Sequence, residues 1–370
     1  MNPKDNKKKK ILVAMSGGVD SSVAALLMKE KEYEVVGVFM KNWSDTKNDY
    51  GECTWRGERR FALKIASMLD IPLVTLDFEK EYKNLVVREM FKLYRKGITP
   101  NPDIDCNEKI KFPLLIKAAK KLKCDYLVTG HYSRIKNEKN KFSLLRGKDE
   151  SKDQSYFLYR IKQKELAKVL FPIGNYTKKQ IREIAKKNKF PNYDKKGTVG
   201  ICFIGKLNLK KFLQKKIKPK KGKILDPENN IIGEHDGIYY YTIGQRIGPR
   251  FGIEIKKDEK KQKKWYVAKK DLIKNTIVAA PEEHKLNFRK EIYIISTHWI
   301  KQIPKKNKKT KIFTRIRNVG ELLDSYLTYD KNKKKYKVTL NKAITGVSEG
   351  QAAVLYIGEE CIGGGVIRFN

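Results

Sequence analysis

The chain has 370 residues, 82 Lys and Arg against 42 Asp and Glu, and 40% hydrophobic residues. It is long enough for two or three domains with real cores. No apolar run approaches the roughly 20 residues that span a bilayer, which excludes a helical membrane protein. The formal charge of +40 points to a polyanionic partner, to a lysine-rich genomic composition, or to both. Five cysteines, an odd number with no secretory leader legible ahead of them, argue against a disulfide-stapled scaffold, and a cytoplasmic location is the expectation.

From Ile11 to about Leu127, β-branched runs alternate with segments of helical period. Ile11–Met15, Glu34–Met40, Leu73–Phe78 and Tyr126–Thr129 read as buried strands, and residues 23–29, 59–69, 82–94 and 112–122 as amphipathic helices. This alternation predicts α/β architecture with a parallel sheet, whose ligands sit at the strands' carboxyl ends. Residues 134–146 read as a hairpin, and 155–170, 178–188 and 209–217 as helical. Beyond Lys218 short strands and turn clusters predict an all-β remainder, ending in a β-barrel from about Ile277. The expected units are residues 10–208, 209–276 and 277–370. Lysine runs at 257–264, 305–311 and 331–337 read as solvated hairpin tips.

The segment Ala14-Met15-Ser16-Gly17-Gly18-Val19-Asp20-Ser21-Ser22 joins the first strand to the first helix, where backbone N–H groups and the helix dipole favour an anion. Gly17 and Gly18 let the backbone approach phosphate, the serines add hydroxyl donors, and Asp20 is suited to carry or position Mg²⁺ beside a polyphosphate. No Walker lysine is present, which leaves room for chemistry at the α-phosphate. A bare glycine turn is the alternative reading. The string resembles the signature of the PP-loop ATP pyrophosphatases, a family that transfers AMP to a substrate oxygen and releases pyrophosphate. Several substrate classes share that loop.

Cys106 lies in Asn101-Pro102-Asp103-Ile104-Asp105-Cys106, expected as a turn-rich loop, and Cys202 in Gly200-Ile201-Cys202-Phe203-Ile204-Gly205. Both occupy Gly- or Pro-bounded segments, whereas Cys124 and Cys361 read as inert core thiols. Spacing alone leaves open whether Cys106 and Cys202 react.

These two stretches, together with Lys152-Asp153-Gln154-Ser155-Tyr156-Phe157-Leu158, Gly244-Gln245-Arg246, Gly350-Gln351-Ala352 and Gly363-Gly364-Gly365, resemble the bacterial tRNA-specific 2-thiouridylases over nearly the whole chain. The resemblance implies a PP-loop domain, a central β-rich domain and a C-terminal β-barrel. It implies that ATP with Mg²⁺ adenylates the 2-carbonyl oxygen of a wobble uridine in tRNAs of the Lys, Glu and Gln type, and that sulfur displaces AMP. Cys202 would carry a persulfide received from a cysteine desulfurase or sulfur-relay protein. Cys106 would release the sulfur, leaving a disulfide, and Asp103 would act as general acid or base. Ala14, Met15, Ser16, Gly17, Gly18, Val19, Asp20, Ser21, Met40 and Gly130 match ATP-binding positions. Asn101, Pro102 and Asp103 match the target-base site, and His131, Lys152, Asp153, Gln154, Arg315, Ile316 and Gln351 match positions that meet tRNA. Each of the latter has a structural alternative: a strand cap for His131, a solvated lysine at 152, a turn closure at Gln351. Asp105, beside Cys106, would raise the thiol pKa unless it points away. No resident protein metal site is legible, and the protein is expected to be a monomer.

Two enzyme alternatives are less well supported: a small-molecule PP-loop ligase would need an ammonia source, and an iron–sulfur thiolase would often carry Cys-x-x-Cys, which is missing here. A non-catalytic RNA binder would have no use for the phosphate loop. If the +40 charge serves RNA, affinity for tRNA measured by filter binding falls steeply with salt; a flat response assigns the charge to composition.

Overall fold

The computed structural model describes residues 9–46, 53–197, 208–248, 264–318 and 320–369. The cysteine at position 202 and its flanking glycines lie outside them.

In the first unit, β1 (Lys10–Ala14), β2 (Glu34–Lys41), β3 (Leu73–Asp77) and β4 (Tyr126–Val128) are followed by a hairpin, β5 (Ser133–Glu138) and β6 (Lys141–Arg146), and by β7 (Val169–Leu170). Five of these form one parallel sheet in the order β3-β2-β1-β4-β7. Both faces are covered, which is why β1 reads as a continuous apolar run rather than an alternating one. Ile11 and Val13 pack against helices Val19–Glu30, Thr54–Met68 and Lys178–Lys187, while Leu12 packs against the helical stretches 79–95 and 102–121. The Leu73–Phe78 strand, expected to be buried, is β3 at the sheet edge, with Val74 37% exposed; among the described residues it has β2 on one side and no strand on the other. Residues 155–170 divide into two short helices, Ser155–Leu158 and Gln163–Leu166, ahead of β7, because Lys162 is extended and starts a new helix.

The stretch 102–121 corrects the expected loop around Cys106. Asn101 caps the helix by accepting from the Ile104 N–H at 3.3 Å, and Pro102 occupies its first position, where a missing N–H costs nothing. The helix begins there and passes through a π turn at Asn107–Lys111, where the Phe112 N–H reaches back five residues to the Asn107 carbonyl. Pro113 cannot donate to the i−4 carbonyl, and the wider turn accommodates that break. Cys106 is therefore a helical residue, fully buried, at the junction with the π turn.

The central unit is a five-stranded sheet of β8 (Gly222–Leu225), β9 (Ile231–His235), β10 (Arg246–Ile247), β11 (Trp265–Asp271) and β12 (Thr276–Pro281), in the order β10-β11-β12-β8-β9. The last unit contains β13 (Arg289–Trp299), β14 (Thr310–Arg315), β15 (Leu323–Asp330), β16 (Lys335–Ile344), β17 (Ala352–Ile357) and β18 (Glu360–Arg368). They run β13-β16-β15-β14-β17-β18 and close through β13–β18, giving the expected barrel, built of six strands. The 134–146 hairpin does not stay with the first sheet: β6 pairs with β18 through Leu144–Cys361 and Leu145–Glu360. No helix among the described residues is long and apolar enough to cross a membrane.

The Gly363–Gly365 run explains the barrel's closure. A Cβ at Gly363 would collide with the His298 carbonyl, at Gly364 with the Ala353 carbonyl, and at Gly365 with the Ile295 carbonyl, so β18 fits between β13 and β17 only without side chains there. Gly364→Ala should destabilise the protein by about 1–3 kcal/mol through overpacking. Urea denaturation checks this, and an unchanged midpoint would show that the barrel relaxes around the methyl.

Candidate active site

The phosphate loop leaves β1 at the carboxyl edge of the sheet and enters the Val19–Glu30 helix. Gly17 has φ +79°, and a Cβ there would run into the Glu58 carbonyl of the neighbouring helix. The loop is braced internally: the Ser21 hydroxyl accepts from the Ser16 N–H at 3.2 Å and donates to the Gly18 carbonyl at 3.0 Å, which Ser22 also reaches at 3.0 Å. Gly130, just past β4, packs so closely on the Asp20–Ser21 backbone that a side chain would not fit. Met40 is buried near the end of β2.

The cations that the loop sequence lacks come from much later in the chain. Lys178 Nζ lies 2.6 and 2.8 Å from the two Asp20 carboxylate oxygens, and the Tyr132 hydroxyl donates to Asp20 at 2.7 Å. Lys195 pairs with Glu58 at 2.6 Å and lies 3.5 Å from the Gly17 carbonyl. Asn192, fully buried, donates to that carbonyl and to Ser22, each at 3.0 Å. Sequence reading missed all of these. The Thr177-x-x-Gln180 capping box marks the helix start beside Lys178, but nothing local to Asn192 or Lys195 points to a loop 170 residues away.

From the phosphate loop a chain of contacts leads to the Cys106 helix. Gly130 is followed by His131, whose Nδ1 is 2.6 Å from Thr129 Oγ1 and whose Nε2 is 3.4 Å from Lys111 Nζ, on the π turn after Cys106. Burial, helped by the Lys111 charge, holds His131 well below the usual imidazole pKa, so it is neutral. Nε2 then accepts from the ammonium and Nδ1–H donates to Thr129. Asp105 turns its carboxylate to Lys109 at 3.2 Å and Arg160 at 3.4 Å. Burial raises its pKa and those two cations oppose the rise; its charge is directed at them.

The residues expected to meet tRNA divide by burial. Lys152 is exposed, whereas Gln154 exchanges hydrogen bonds with the Tyr132 backbone. Asp153 is buried and accepts from the Gly147 and Ser155 N–H groups, the Ser155 hydroxyl and, at 2.6 Å, Arg315. Arg315 and Ile316 are buried where the barrel meets the first unit. Gln351 bonds to the backbone just ahead of Asn101. Asn101 also lines a cleft of about 220 Å³ between helices 79–95 and 102–121 and the barrel, with Asp105, Lys109, Arg160, Ser296 and Arg368 around it.

A parallel sheet with this loop at the end of its first strand defines a PP-loop nucleotide-binding enzyme, one that uses ATP. The sequence matches the family models described as tRNA methyl transferase HUP domain over residues 9–206, tRNA methyl transferase PRC-barrel domain over 210–281, and aminomethyltransferase beta-barrel domain over 289–367. It is 42% identical over 361 residues to the tRNA-specific 2-thiouridylase MnmA of Coxiella burnetii (strain Dugway 5J108-111), covering 97% of this chain and 98% of that one. It is 39% identical over 365 residues to the MnmA of Enterococcus faecalis (strain ATCC 700802 / V583), covering 98% and 96%. A crystal structure of a 4-thiouridine synthetase–RNA complex with bound ATP is a remote likeness, with TM-score 0.37, 17% identity and coverage of 56% of this chain and 50% of that one. The chain belongs to the tRNA-specific 2-thiouridylase family.

The buried, neutral His131 has a measurable consequence. The unfolded chain takes up a proton near pH 6.5 and the folded one does not, so this residue's contribution to stability is complete above pH 6.5 and is lost as pH falls toward the lowered folded value. Chemical denaturation should show wild-type stability dropping more steeply between pH 6.5 and 5 than that of His131→Gln. Parallel pH profiles would mean that His131 titrates in the fold as it does in the unfolded chain.

Proposed function

We propose that this protein is a cytoplasmic, monomeric tRNA-uridine 2-sulfurtransferase acting on the wobble uridine of tRNAs for Lys, Glu and Gln. The observation that carries the reading is the contiguous path from phosphate loop to thiol: Asp20 and Ser21 against Gly130, then His131 to Lys111, then the π turn to Cys106. In a βαβ unit the helix runs antiparallel to the strands. The amino end of the 102–121 helix therefore stands over the strands' carboxyl ends, where the phosphate loop lies.

The uracil O2 attacks the α-phosphorus of ATP held by Ala14–Ser21, Met40 and Gly130, and pyrophosphate leaves. The terminal sulfur of a Cys202 persulfide then adds to C2, and AMP departs with the former O2. The Cys106 thiolate attacks the Cys202 sulfur and breaks the persulfide S–S bond. The base keeps the terminal sulfur as 2-thiouridine, and a Cys106–Cys202 disulfide remains for an external thiol reductant. Asp103, beside the base with Asn101 and Pro102, exchanges the proton. The persulfide comes from a desulfurase or a relay protein.

Mg²⁺ fits as an ion that arrives with the triphosphate. Among the described residues no three His, Cys, Asp or Glu cluster to hold a metal, and Mg²⁺ at phosphates needs only one or two carboxylates. Asp20 would be the carboxylate to hold it, if Lys178 turned from Asp20 to the phosphates. Lys152 would face RNA directly, while His131, Asp153, Gln154, Arg315 and Ile316 would reach it only where their protein contacts open.

Nucleoside mass spectrometry of unmodified lysine tRNA, incubated with enzyme, ATP-Mg²⁺, a desulfurase system and reductant, tests the reading. ATP-dependent 2-thiouridine supports it; pyrophosphate release without thiolation would place the activated oxygen or the sulfur source elsewhere. Cys106→Ser and Cys202→Ser should each lower thiolation on the order of 100-fold or more while leaving ATP and tRNA binding intact. Full thiolation in either variant would remove that cysteine from the mechanism.

A further inference from the structure

Three parts of the chain converge on the backbone at Thr99, Pro100 and Asn101, immediately ahead of the Cys106 helix. From the barrel, Gln351 Nε2 donates to the Thr99 carbonyl at 2.9 Å and to the Pro100 carbonyl at 3.0 Å. From the central unit, the Thr242 hydroxyl meets the Thr99 hydroxyl at 2.9 Å. From the segment after β6, the Tyr156 hydroxyl bonds to the Asn101 side chain and lies 3.3 and 3.2 Å from the Ile316 and Ala352 carbonyls of the barrel. The approach is close: Gly350 has φ +88°, and a Cβ there would collide with Ile98 and lie 2.7 Å from the Thr99 carbonyl oxygen.

The hydrogen inventory argues for one role of Gln351. A side-chain amide has two N–H hydrogens. Here both are committed, one to each of two consecutive carbonyls that precede a helix and so have no place in its ladder. Only Oε1 remains for any outside partner. We propose that Gln351 is a positioning residue. It fixes Thr99–Asn101, hence the Asn101 cap and the first turn that carries Asp103 and Cys106, so the catalytic helix is correctly placed only while the barrel is docked. The proposal rests on the sulfurtransferase reading for its kinetic consequence but not for its structural one.

Two measurements on the full-length protein test it. In hydrogen exchange, Gln351→Ala should raise exchange in peptides covering residues 98–106 while peptides from β13 to β16 keep wild-type protection. Unchanged exchange at 98–106 overturns the proposal whatever the enzyme does. In single-turnover thiolation, Gln351→Ala should lower the rate by about 10-fold or more, since a misplacement of about 1 Å can cost on the order of 100-fold, with tRNA Kd and ATP KM within about 2-fold of wild type. Gln351→Lys, which keeps donors within reach of both carbonyls, should recover most of the rate. Tyr156→Phe removes one hydroxyl with little risk to folding and should shift rate and exchange in the same direction. A weaker tRNA Kd with an unchanged rate would instead make Gln351 an RNA contact. Absence of 2-thiouridine with wild-type enzyme would sink the functional reading, leaving the exchange experiment to decide this one.

Discussion

The Asp153 carboxylate is the interaction on which the docking of the barrel against the first unit turns. It is almost wholly shielded from water, and such a charge is tolerated only when its lone pairs are filled. The Gly147 and Ser155 backbones, the Ser155 hydroxyl and Arg315 fill them. Three of those partners lie in the segment after β6 and the fourth lies at the end of β14. Removing the barrel would leave a buried carboxylate without its cation, so an electrostatic requirement is added to the apolar cluster in which Leu144 and Tyr156 pack with Ala352, Val354 and Tyr356 of the barrel. Around that pair, Ser155 meets the Tyr356 hydroxyl at 3.1 Å, Arg315 stacks over the Tyr356 ring, and Arg134 on the hairpin reaches Glu359 at 2.7 Å. The hairpin's pairing with β18 then makes the barrel continuous with the first unit through backbone hydrogen bonds.

The phosphate loop shows a second constraint of the same kind. A loop of small residues at a helix amino end attracts an anion, but without its own lysine its charge balance is set by what packs against it. Lys178 and Lys195 stand on either side, one held by Asp20 and the other by Glu58. Both ammonium groups are thus neutralised by carboxylates of the first unit, one of them Asp20 of the loop itself. The arrangement also adds to the meaning of Asp20, whose carboxylate is the partner of an ammonium and a phenol.

The sequence determines the elements whose signals are local. The apolar runs of β1, β2 and β4, the Ser-Gly-Gly-Val-Asp-Ser-Ser loop between strand and helix, the Thr177 capping box and the short strands beyond Lys218 each follow from side-chain period, glycine freedom or capping chemistry within a few residues. The Asn101-Pro102 start was there to be read as well, since an Asn cap followed by Pro opens helices; its turn-like composition concealed it. Only the tertiary structure decides where Asp153, Arg315, Tyr156 and Gln351 go. Each is a polar side chain that would be unremarkable on a surface, and each becomes structural because a partner more than 150 residues away in the chain satisfies it at a buried or, for Gln351, half-buried junction. Hydrogen bonds formed inside a segment leave a pattern in that segment; hydrogen bonds formed between distant segments leave none until the fold brings donor and acceptor together.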